Sequence, residues 1–301
     1  MKYVVTGGAG FIGSRIVKLL VKEGNSVTVI DNLHTGKMEN LDEVRNEINF
    51  VKADIRNFED MKKNIIDCDG IFHEAALTLV QESFTKQKEY NEVNVIGTEN
   101  IFKIAQKKNI KVVFASSSSV YGDVKQIPIQ ESNLKKPINP YGITKLQDEQ
   151  LAEKFVKKNL QVIGLRYFNV YGIGQTGSYA GVITKFINRL KENKNLIING
   201  DGEQIRDFIF VDDIAIANIK AMKSNVKEGF FNIGTNIGTN INDLANMLIE
   251  ISKQEISSIH SEMLDGDIKF SQADTELAKK MLEWEFHMPL KQGLQKIYPN
   301  F

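Results

Sequence analysis

An α/β fold with a doubly wound parallel sheet is predicted from two patterns that alternate along the first half of the chain. Short apolar runs, typical of strands buried on both faces, recur at residues 3–5, 27–30, 70–72, 112–115 and 162–165. Between them lie amphipathic stretches with helical spacing, such as Ile12, Ile16, Leu19 and Leu20. Strands that alternate with helices in this way favour a parallel sheet with helices on both faces.

A smaller α/β domain is predicted after about residue 168, where this alternation loosens. Glycine-rich turns there separate the next elements, which are helix candidates at Val182–Lys191, 213–222 and 242–252 and strand-like pieces at 196–198 and 208–211. We therefore predict a first domain over residues 1–168 and a second over 169–301. Some segments near 206–233 are expected to return to the first domain.

Composition excludes several classes of protein. The 38 Lys and Arg residues cancel the 38 Asp and Glu residues, so net charge gives no general attraction to nucleic acid or an anionic membrane. No apolar run approaches the roughly 20 residues of a membrane-spanning helix. The single cysteine, Cys68, cannot form an intramolecular disulfide, which favours a cytoplasmic location. The four histidines are scattered, so no metal site is expected.

The loop after the first strand carries a dinucleotide-binding pattern. Residues 6–13 read Thr-Gly-Gly-Ala-Gly-Phe-Ile-Gly and lie directly between a strand and a helix. Glycines permit the tight turn and let backbone N–H groups approach a pyrophosphate at the helix N-terminus. An ordinary glycine-rich turn is the weaker interpretation because the motif stands in the expected context. The pattern predicts a Rossmann-type cofactor site at Gly7, Gly10, Phe11, Ile12 and Gly13.

Acidic residues follow the second and third strands. Asp31 is placed to accept hydrogen bonds from the adenosine ribose and to repel a 2′-phosphate, which favours NAD over NADP. Read alone, Asp31 and Asn32 would also fit a simple turn. Asp54 and Ile55 are placed to meet the adenine, although a role as helix N-cap would explain Asp54 nearly as well.

A Tyr-x-x-x-Lys pattern occurs twice, as Tyr121/Lys125 and Tyr141/Lys145. Tyr121 is followed by glycine and aspartate, which indicates a loop, whereas Pro140 suits the first turn of a helix that carries Tyr141. Residues four apart on a helix share a face, so the Lys145 ammonium would stabilise the Tyr141 phenolate as a general base. A tyrosine and a lysine on an exposed helix face are the alternative.

A run of four serines at 116–119 ends the strand that begins at Lys111. It lies at the carboxyl edge of the predicted sheet, where doubly wound folds bind ligands. A hydroxyl there could share a proton with Tyr141. A serine-rich strand end would equally cap a turn, and position alone does not identify which serine matters.

Together these residues resemble the extended short-chain dehydrogenase/reductase family, in particular its nucleotide-sugar epimerase and dehydratase branch, over essentially the whole chain. Later segments match the family as well, at His73-Glu74-Ala75-Ala76, 94–98, 165–172 and 200–208. The resemblance implies NAD as the cofactor and Ser117, Tyr141 and Lys145 as the catalytic residues.

The resemblance also assigns further residues to the two ligands. Contacts with NAD would add Ala75, Ala76, Asn94, Tyr141, Lys145 and Tyr167 to the glycine loop and the acidic strand ends. Contacts with a nucleotide sugar would come from Thr78, Ser117, Tyr141, Asn169, Val182, Arg206, Asp267 and Ser271. Arg206 precedes a strand, where a guanidinium suits a phosphate. A surface ion pair with Asp207 is the alternative.

Within this branch, 4-epimerisation of a UDP-hexose is favoured. Dehydrating members carry Asp-Glu directly after the catalytic hydroxyl, and this chain has Ser118 and Ser119 there. The resemblance is strongest to enzymes that interconvert UDP-glucose and UDP-galactose through a 4-keto sugar. The alternatives are an epimerase of another nucleotide sugar such as UDP-glucuronate, a nucleotide-sugar dehydratase or reductase, and a regulatory protein that binds NAD without catalysis.

Departures from the family pattern bear on the substrate. The family's Arg-Pro-Gly-Asp appears here as residues 264–267, Leu-Asp-Gly-Asp, so a phosphate-binding arginine is absent while Asp267 is kept. Ser271 stands where glucose-specific epimerases often carry tyrosine, and its small side chain leads us to expect that UDP-N-acetylglucosamine is also accepted. By analogy, helices at 91–108 and 141–158 would form a homodimer contact, unless they only cover the sheet.

Overall fold

The computed structural model describes residues 1–175, 181–263 and 268–300. Its strands, in chain order, are β1 (Lys2–Thr6), β2 (Ser26–Asp31), β3 (Ile48–Lys52), β4 (Gly70–His73), β5 (Lys111–Ser117), β6 (Val162–Tyr167), β7 (Asn169–Tyr171), β8 (Leu196–Asn199), β9 (Ile205–Phe210), β10 (Glu228–Ile233), β11 (Gly238–Asn240), β12 (Ser258–Ser261) and β13 (Phe270–Ser271). Among the described residues, no helix combines the length and the apolarity needed to cross a membrane.

The helices alternate with the first six strands and continue into the second half. They are α1 (Gly13–Lys22), α2 (Phe58–Asn64), α3 (Val80–Thr85), α4 (Gln87–Tyr90), α5 (Gly97–Lys108), α6 (Pro140–Val156), α7 (Val182–Lys191), α8 (Val211–Lys223), α9 (Ile241–Ser252), α10 (Glu276–Leu282) and α11 (Leu290–Ile297). Short 3₁₀ turns occupy Met38–Val44, Ser118–Val120 and Tyr298–Asn300. A π-helical segment, Asn91–Ile96, leads directly into α5, so the helix expected at 91–108 is helical throughout but changes its pitch.

The seven-stranded sheet confirms the predicted fold class. Its order is β10-β6-β5-β4-β1-β2-β3, and every neighbouring pair is parallel. The direction in which successive strands are added reverses between β1 and β4. In such sheets a crevice opens outside the carboxyl ends of the strands at this point.

Helices cover both faces of this sheet because adjacent strand residues point to opposite sides. In β1, Val5 belongs to the apolar cluster that contains α1, α8 and α10, whereas Val4 belongs to the cluster that contains α2, α5 and α6. Full burial of each such side chain contributes about 1.5–3 kcal/mol. The segment near 206–233 contributes β10 to this sheet and α8 to the layer on one of its faces. Helix α10, from later in the chain, packs on the same face.

The remaining elements form a smaller α/β unit beside the sheet. Its central strand, β9, pairs with β7 and β13 in parallel and with β11 in antiparallel orientation. Helices α7, α9 and α11 pack around it through Phe186, Leu244 and Leu294. Since β7 begins two residues after β6 ends, this unit starts at the carboxyl edge of the large sheet and forms one wall of the crevice.

Candidate active site

A cleft of about 600 Å³ runs along the carboxyl edge of the seven-stranded sheet and is walled by the smaller unit. This volume is typical of a site for a small ligand. Most of the residues predicted from the sequence line it, namely Gly7, Gly10, Phe11, Ile12, Gly13, Asp31, Asn32, Asp54, Ile55, Ala75, Ala76, Thr78, Ser117, Tyr141, Lys145, Tyr167, Asn169 and Val182. Residues more than 160 positions apart in the sequence are thus brought into one cleft.

Four predicted site residues are placed differently. Asn94 is buried and bonded to the cleft-lining Leu77: its side chain accepts a hydrogen bond from Leu77 N (2.8 Å) and donates to the Leu77 carbonyl oxygen (3.0 Å). Arg206 and Ser271 are paired in register on β9 and β13, outside the cleft lining defined by the described residues. Asp267 lies outside the described residues.

The glycine loop brings the backbones of β1 and β4 close together. Gly7 has φ +68°, and a Cβ at this position would lie 2.6 Å from Ala75 N. A Cβ on Gly13 would overlap the Gly7 carbonyl oxygen. Helix α1 has neither a side-chain N-cap nor an acidic residue in its first turn, so no protein carboxylate compensates the positive end of its dipole, and residues 10–13 at this end line the cleft. The loop therefore fits the pyrophosphate of a dinucleotide.

Gly7→Ala is expected to destabilise the protein and to lower its content of bound dinucleotide after purification. The matched control is Gly24→Ala, because Gly24 has φ +78° but open space around its Cβ position. Both variants incur about 1–2 kcal/mol for left-handed backbone, and Gly7→Ala adds about 1–3 kcal/mol of overpacking. Thermal unfolding and cofactor content measure the two effects. Equal losses in the two variants would show that the close approach to Ala75 is unimportant.

Hydrogen bonds fix the carboxylates at the far end of the cleft. Asp31 accepts from Ala9 N (3.0 Å) and Leu33 N (2.7 Å), and its burial raises the pKa of its carboxyl. Its oxygens keep lone pairs for ribose hydroxyls. Asp54 accepts from the Arg56 guanidinium (2.7 and 3.0 Å), which lowers the pKa of Asp54 to about 2.

The N-cap of α2 is Asn57, whose side chain accepts from Asp60 N (3.2 Å). The alternative role of Asp54 as that N-cap is therefore wrong. The Asp54 carboxylate also accepts a hydrogen bond from the Asn32 amide (3.0 Å). This bond joins the ends of β2 and β3 at the cleft.

Helix α6 places Tyr141 and Lys145 in the cleft. The Asn139 side chain caps the helix by accepting from Gly142 N (2.8 Å), and Pro140 is the first helical residue, as its position in the sequence predicted. The Lys145 Nζ donates to the Ala115 carbonyl oxygen of β5 (3.0 Å). The ammonium is thereby anchored to the sheet beside the Tyr141 side chain.

The other Tyr-x-x-x-Lys pattern is not on a helix. Tyr121 follows the 3₁₀ turn and is 2% exposed. Its hydroxyl donates to Asn232 Oδ1 (2.7 Å) and accepts from the Arg166 guanidinium (2.6 Å). This tyrosine belongs to the interior of the protein and does not line the cleft formed by the described residues.

All four serines of the run line the cleft, but their hydroxyls differ in use. Ser116 donates to the buried Glu149 carboxylate (2.7 Å). Ser117 accepts from Ser119 N (3.2 Å) and so caps the 3₁₀ turn, and its hydroxyl also donates to the Ser119 hydroxyl (3.1 Å). Ser117 therefore combines a place in the cleft with the turn-capping role that the sequence allowed.

Glu74 is a cleft residue whose role the sequence did not predict. It follows β4 directly and accepts a hydrogen bond from the Tyr167 hydroxyl (3.0 Å), which itself accepts from Asn218 (2.7 Å). Burial raises the pKa of Glu74 to about 7. A charged side chain directly after a wholly buried strand was the signal that could have identified it.

The neighbouring His73 is structural. Its ring is buried between the hydroxyls of Thr6 (2.6 Å) and Thr98 (2.9 Å), and burial lowers its pKa to about 3. The neutral imidazole joins β4 to β1 and α5 and holds the strand end from which Glu74 projects.

Comparison with known proteins identifies this arrangement. The sequence matches the NAD dependent epimerase/dehydratase family over residues 3–234. The chain belongs to this family. The predicted resemblance is confirmed, and so is NAD as the cofactor.

Members with known names match along nearly their full length. The UDP-glucose 4-epimerase of Halalkalibacterium halodurans is 34% identical over 96% of this chain and 92% of its own. The structure of UDP-glucose 4-epimerase from Thermotoga maritima with UDP-glucose is 36% identical, with a TM-score of 0.94 over 99% of this chain and 98% of that one. A UDP-N-acetylglucosamine 4-epimerase from Methanobrevibacter ruminantium, in complex with UDP-N-acetylmuramic acid, gives 36% and 0.94 over 99% and 97%.

Proposed function

We propose that the protein is an NAD-dependent 4-epimerase of UDP-hexoses, which interconverts UDP-glucose with UDP-galactose and accepts their N-acetylated counterparts. One observation carries the proposal. Tyr141 and Lys145 line the same cleft as the dinucleotide loop of the large sheet and as Asn169 and Val182 of the smaller unit. This supports a general base that shares one cleft with the cofactor loop and with the unit that would hold the sugar.

The residues of this cleft suit a reversible oxidation at C4 of the sugar. Tyr141 accepts the proton of the 4-hydroxyl as C4 of the sugar is oxidised to a ketone. It returns that proton when the ketone is reduced on the opposite face of the sugar. The Lys145 ammonium stabilises the phenolate, and the Ser117 hydroxyl, which lines the same cleft, would hydrogen-bond O4. Bound NAD would supply the acceptor for the C4 hydride and return the same hydride. Substrate and product therefore have the same oxidation state.

The residues after Ser117 support epimerisation rather than net dehydration. Ser118 and Ser119 line the cleft. Hydroxyl groups there do not supply the additional acid and base that the elimination of water requires. A 4-epimerase needs only the proton that Tyr141 exchanges.

The nature of the sugar is a proposal that rests on the second unit. Arg206 and Ser271 are paired on neighbouring strands of this unit, which also contributes Asn169 and Val182 to the cleft. On the family resemblance we assign Arg206 to the diphosphate and Ser271 to the position where a small side chain leaves room for an N-acetyl group. Asp267 completes the proposed set at the uridine ribose.

Proton NMR of the purified protein tests this function directly. Incubated without added NAD, the protein is expected to convert UDP-glucose and UDP-N-acetylglucosamine into their C4 epimers, with no accumulation of free NADH. Conversion of UDP-glucose alone would contradict the role of Ser271. If both sugars are unchanged even with NAD present, whereas UDP-glucuronate is converted or NADH accumulates, the UDP-hexose assignment is wrong.

We further propose a cytoplasmic homodimer. The π-helical segment and α6 expose the apolar side chains of Ile96 (44%) and Ile143 (45%), which supports contact with the same surface of a second copy. The single cysteine, Cys68, is a free thiol, which suits a reducing compartment. Sedimentation velocity checks the dimer, and a monomer at micromolar concentration would contradict it.

A further inference from the structure

A buried carboxyl group stands behind the lysine of the cleft. Asp148 lies three residues after Lys145 on α6, and its side chain is 0% exposed. Its Oδ2 accepts a hydrogen bond from the Lys145 Nζ (3.2 Å), whose other bond goes to the Ala115 carbonyl oxygen (3.0 Å). These two acceptors use two of the three ammonium protons. The third proton remains for the cleft, which Lys145 lines.

Asp148 is placed to change its charge near neutral pH. Burial raises the pKa of its carboxyl to about 7, although Lys145 acts in the opposite direction. Its Oδ1 receives no hydrogen bond from the described residues. The carboxyl group is thus buried and hydrogen-bonded to the Lys145 ammonium through Oδ2.

The other groups around Asp148 come from each element packed against it. Glu149, next on α6, raises the pKa of Asp148, whereas the Thr98 hydroxyl of α5 lowers it. His73 of β4, which bonds to Thr98, is neutral because burial lowers its pKa to about 3. None of these groups shields the Lys145 ammonium from the charge of Asp148.

Lys145 itself lies between carboxyl groups on two sides. Burial alone would lower the pKa of Lys145, but Asp148, Tyr141 and Glu74 together raise it above the usual value. Glu74 acts from the cleft side, where burial raises the pKa of its carboxyl to about 7. Asp148 acts from the interior and holds the ammonium directly.

We propose that Asp148 is a positioning residue that fixes the Lys145 ammonium and sets how strongly this charge stabilises the Tyr141 phenolate. The proposal rests on the proposed function, in which Tyr141 is the base. Ionised Asp148 neutralises part of the ammonium charge and weakens the phenolate. Protonated Asp148 leaves that charge to Tyr141. The three groups titrate as a coupled set rather than one by one.

Asp148→Asn removes the negative charge of Asp148 and keeps the shape of its side chain. The near-ultraviolet absorbance of tyrosinate is titrated in the purified holoprotein and in D148N, each minus its own Tyr141→Phe version, so that the difference reports Tyr141 alone. Removal of the negative charge is expected to lower the midpoint of the phenolate titration by about one pH unit. This corresponds to about ten times more phenolate relative to phenol at a given pH. The acidic limb of the pH–rate profile is expected to move in the same direction.

Matched variants make the outcome decisive. Glu153→Gln removes an exposed carboxylate from the same helix and is expected to leave the titration unchanged, since the Glu153 side chain is 55% exposed. Asp148→Ser, which is smaller and uncharged, is expected to lower the midpoint of the Tyr141 titration as D148N does. It serves as the test variant if D148N does not fold.

A midpoint in the folded Asp148 variants that coincides with the wild-type value, or lies above it, overturns the proposal. The titration requires no turnover, so it is independent of the sugar. Failure of the NMR assay would overturn the UDP-hexose assignment while leaving the titration result intact.

Discussion

Tyr141→Phe is expected to lower the rate of UDP-hexose epimerisation by a factor of about 10²–10⁴, the usual contribution of a general acid–base group. The variant keeps the aromatic ring, which packs with Leu77 and Tyr90, and loses only the hydroxyl that exchanges the proton of the sugar. Fold and NAD content are therefore expected to remain unchanged. Initial rates from proton NMR, together with the cofactor released on denaturation, measure both quantities.

Tyr121→Phe is the matched control because Tyr121 belongs to the other Tyr-x-x-x-Lys pattern. Its hydroxyl is bonded to Asn232 and Arg166 in the interior, so its removal is expected to cost about 1–3 kcal/mol of stability. The turnover of the folded fraction is expected to stay near that of the wild type. A large loss of turnover in the Tyr121 variant with little loss in the Tyr141 variant would reverse the assignment of the base.

The choice between these two tyrosines shows how far local sequence information reaches. Pro140 favours a helix start and the residues after Tyr121 favour a loop, and both preferences act within a few residues. The same is true of the glycine loop, in which a tight turn gives Gly7 a φ of +68° that glycine adopts most readily. Features of this kind were predictable because their physical causes are short-range.

Features that depend on contacts between distant segments were not predictable in this way. Glu74 meets Tyr167 across 93 positions in the sequence, and no periodicity records that contact. The placement of Arg206 and Ser271 outside the lining of the cleft depends on the pairing of β9 with β13. The register of these two strands is set by the packing of the smaller unit. For that unit the sequence predicted only a less regular alternation of strands and helices.

Helix α6 departs from the pattern that usually reveals a buried helix face. Lys145, Asp148 and Glu149 are all at most 3% exposed, whereas an amphipathic helix ordinarily buries apolar side chains. Asp148 follows Lys145 at a spacing that places both on one face, so the pair could have been noticed. Only the structure shows that this face is turned inward and that the charges compensate one another.

Arg166→Met is expected to destabilise the folded protein by about 3–5 kcal/mol, which is the usual cost of breaking a buried ion pair. The Arg166 guanidinium is 1% exposed on β6. It donates to both Glu149 carboxylate oxygens (2.8 Å each) and to the Tyr121 hydroxyl (2.6 Å). Its loss leaves Glu149 as a buried carboxylate with reduced compensation. Lys135, 3.5 Å from Glu149, places the expected loss toward the lower end of this range.

The double variant Arg166→Met/Glu149→Leu separates the ion pair from packing. If the loss in the single variant arises from the uncompensated charge, removing Glu149 as well is expected to restore most of the stability. Equilibrium urea unfolding, followed by circular dichroism and by fluorescence of the single tryptophan, Trp284, measures each variant. Arg166 does not line the cleft of the described structure, so the folded double variant should still epimerise its substrate. A double variant no more stable than Arg166→Met would instead mean that the guanidinium acts mainly through its packing against Tyr121 and Phe230.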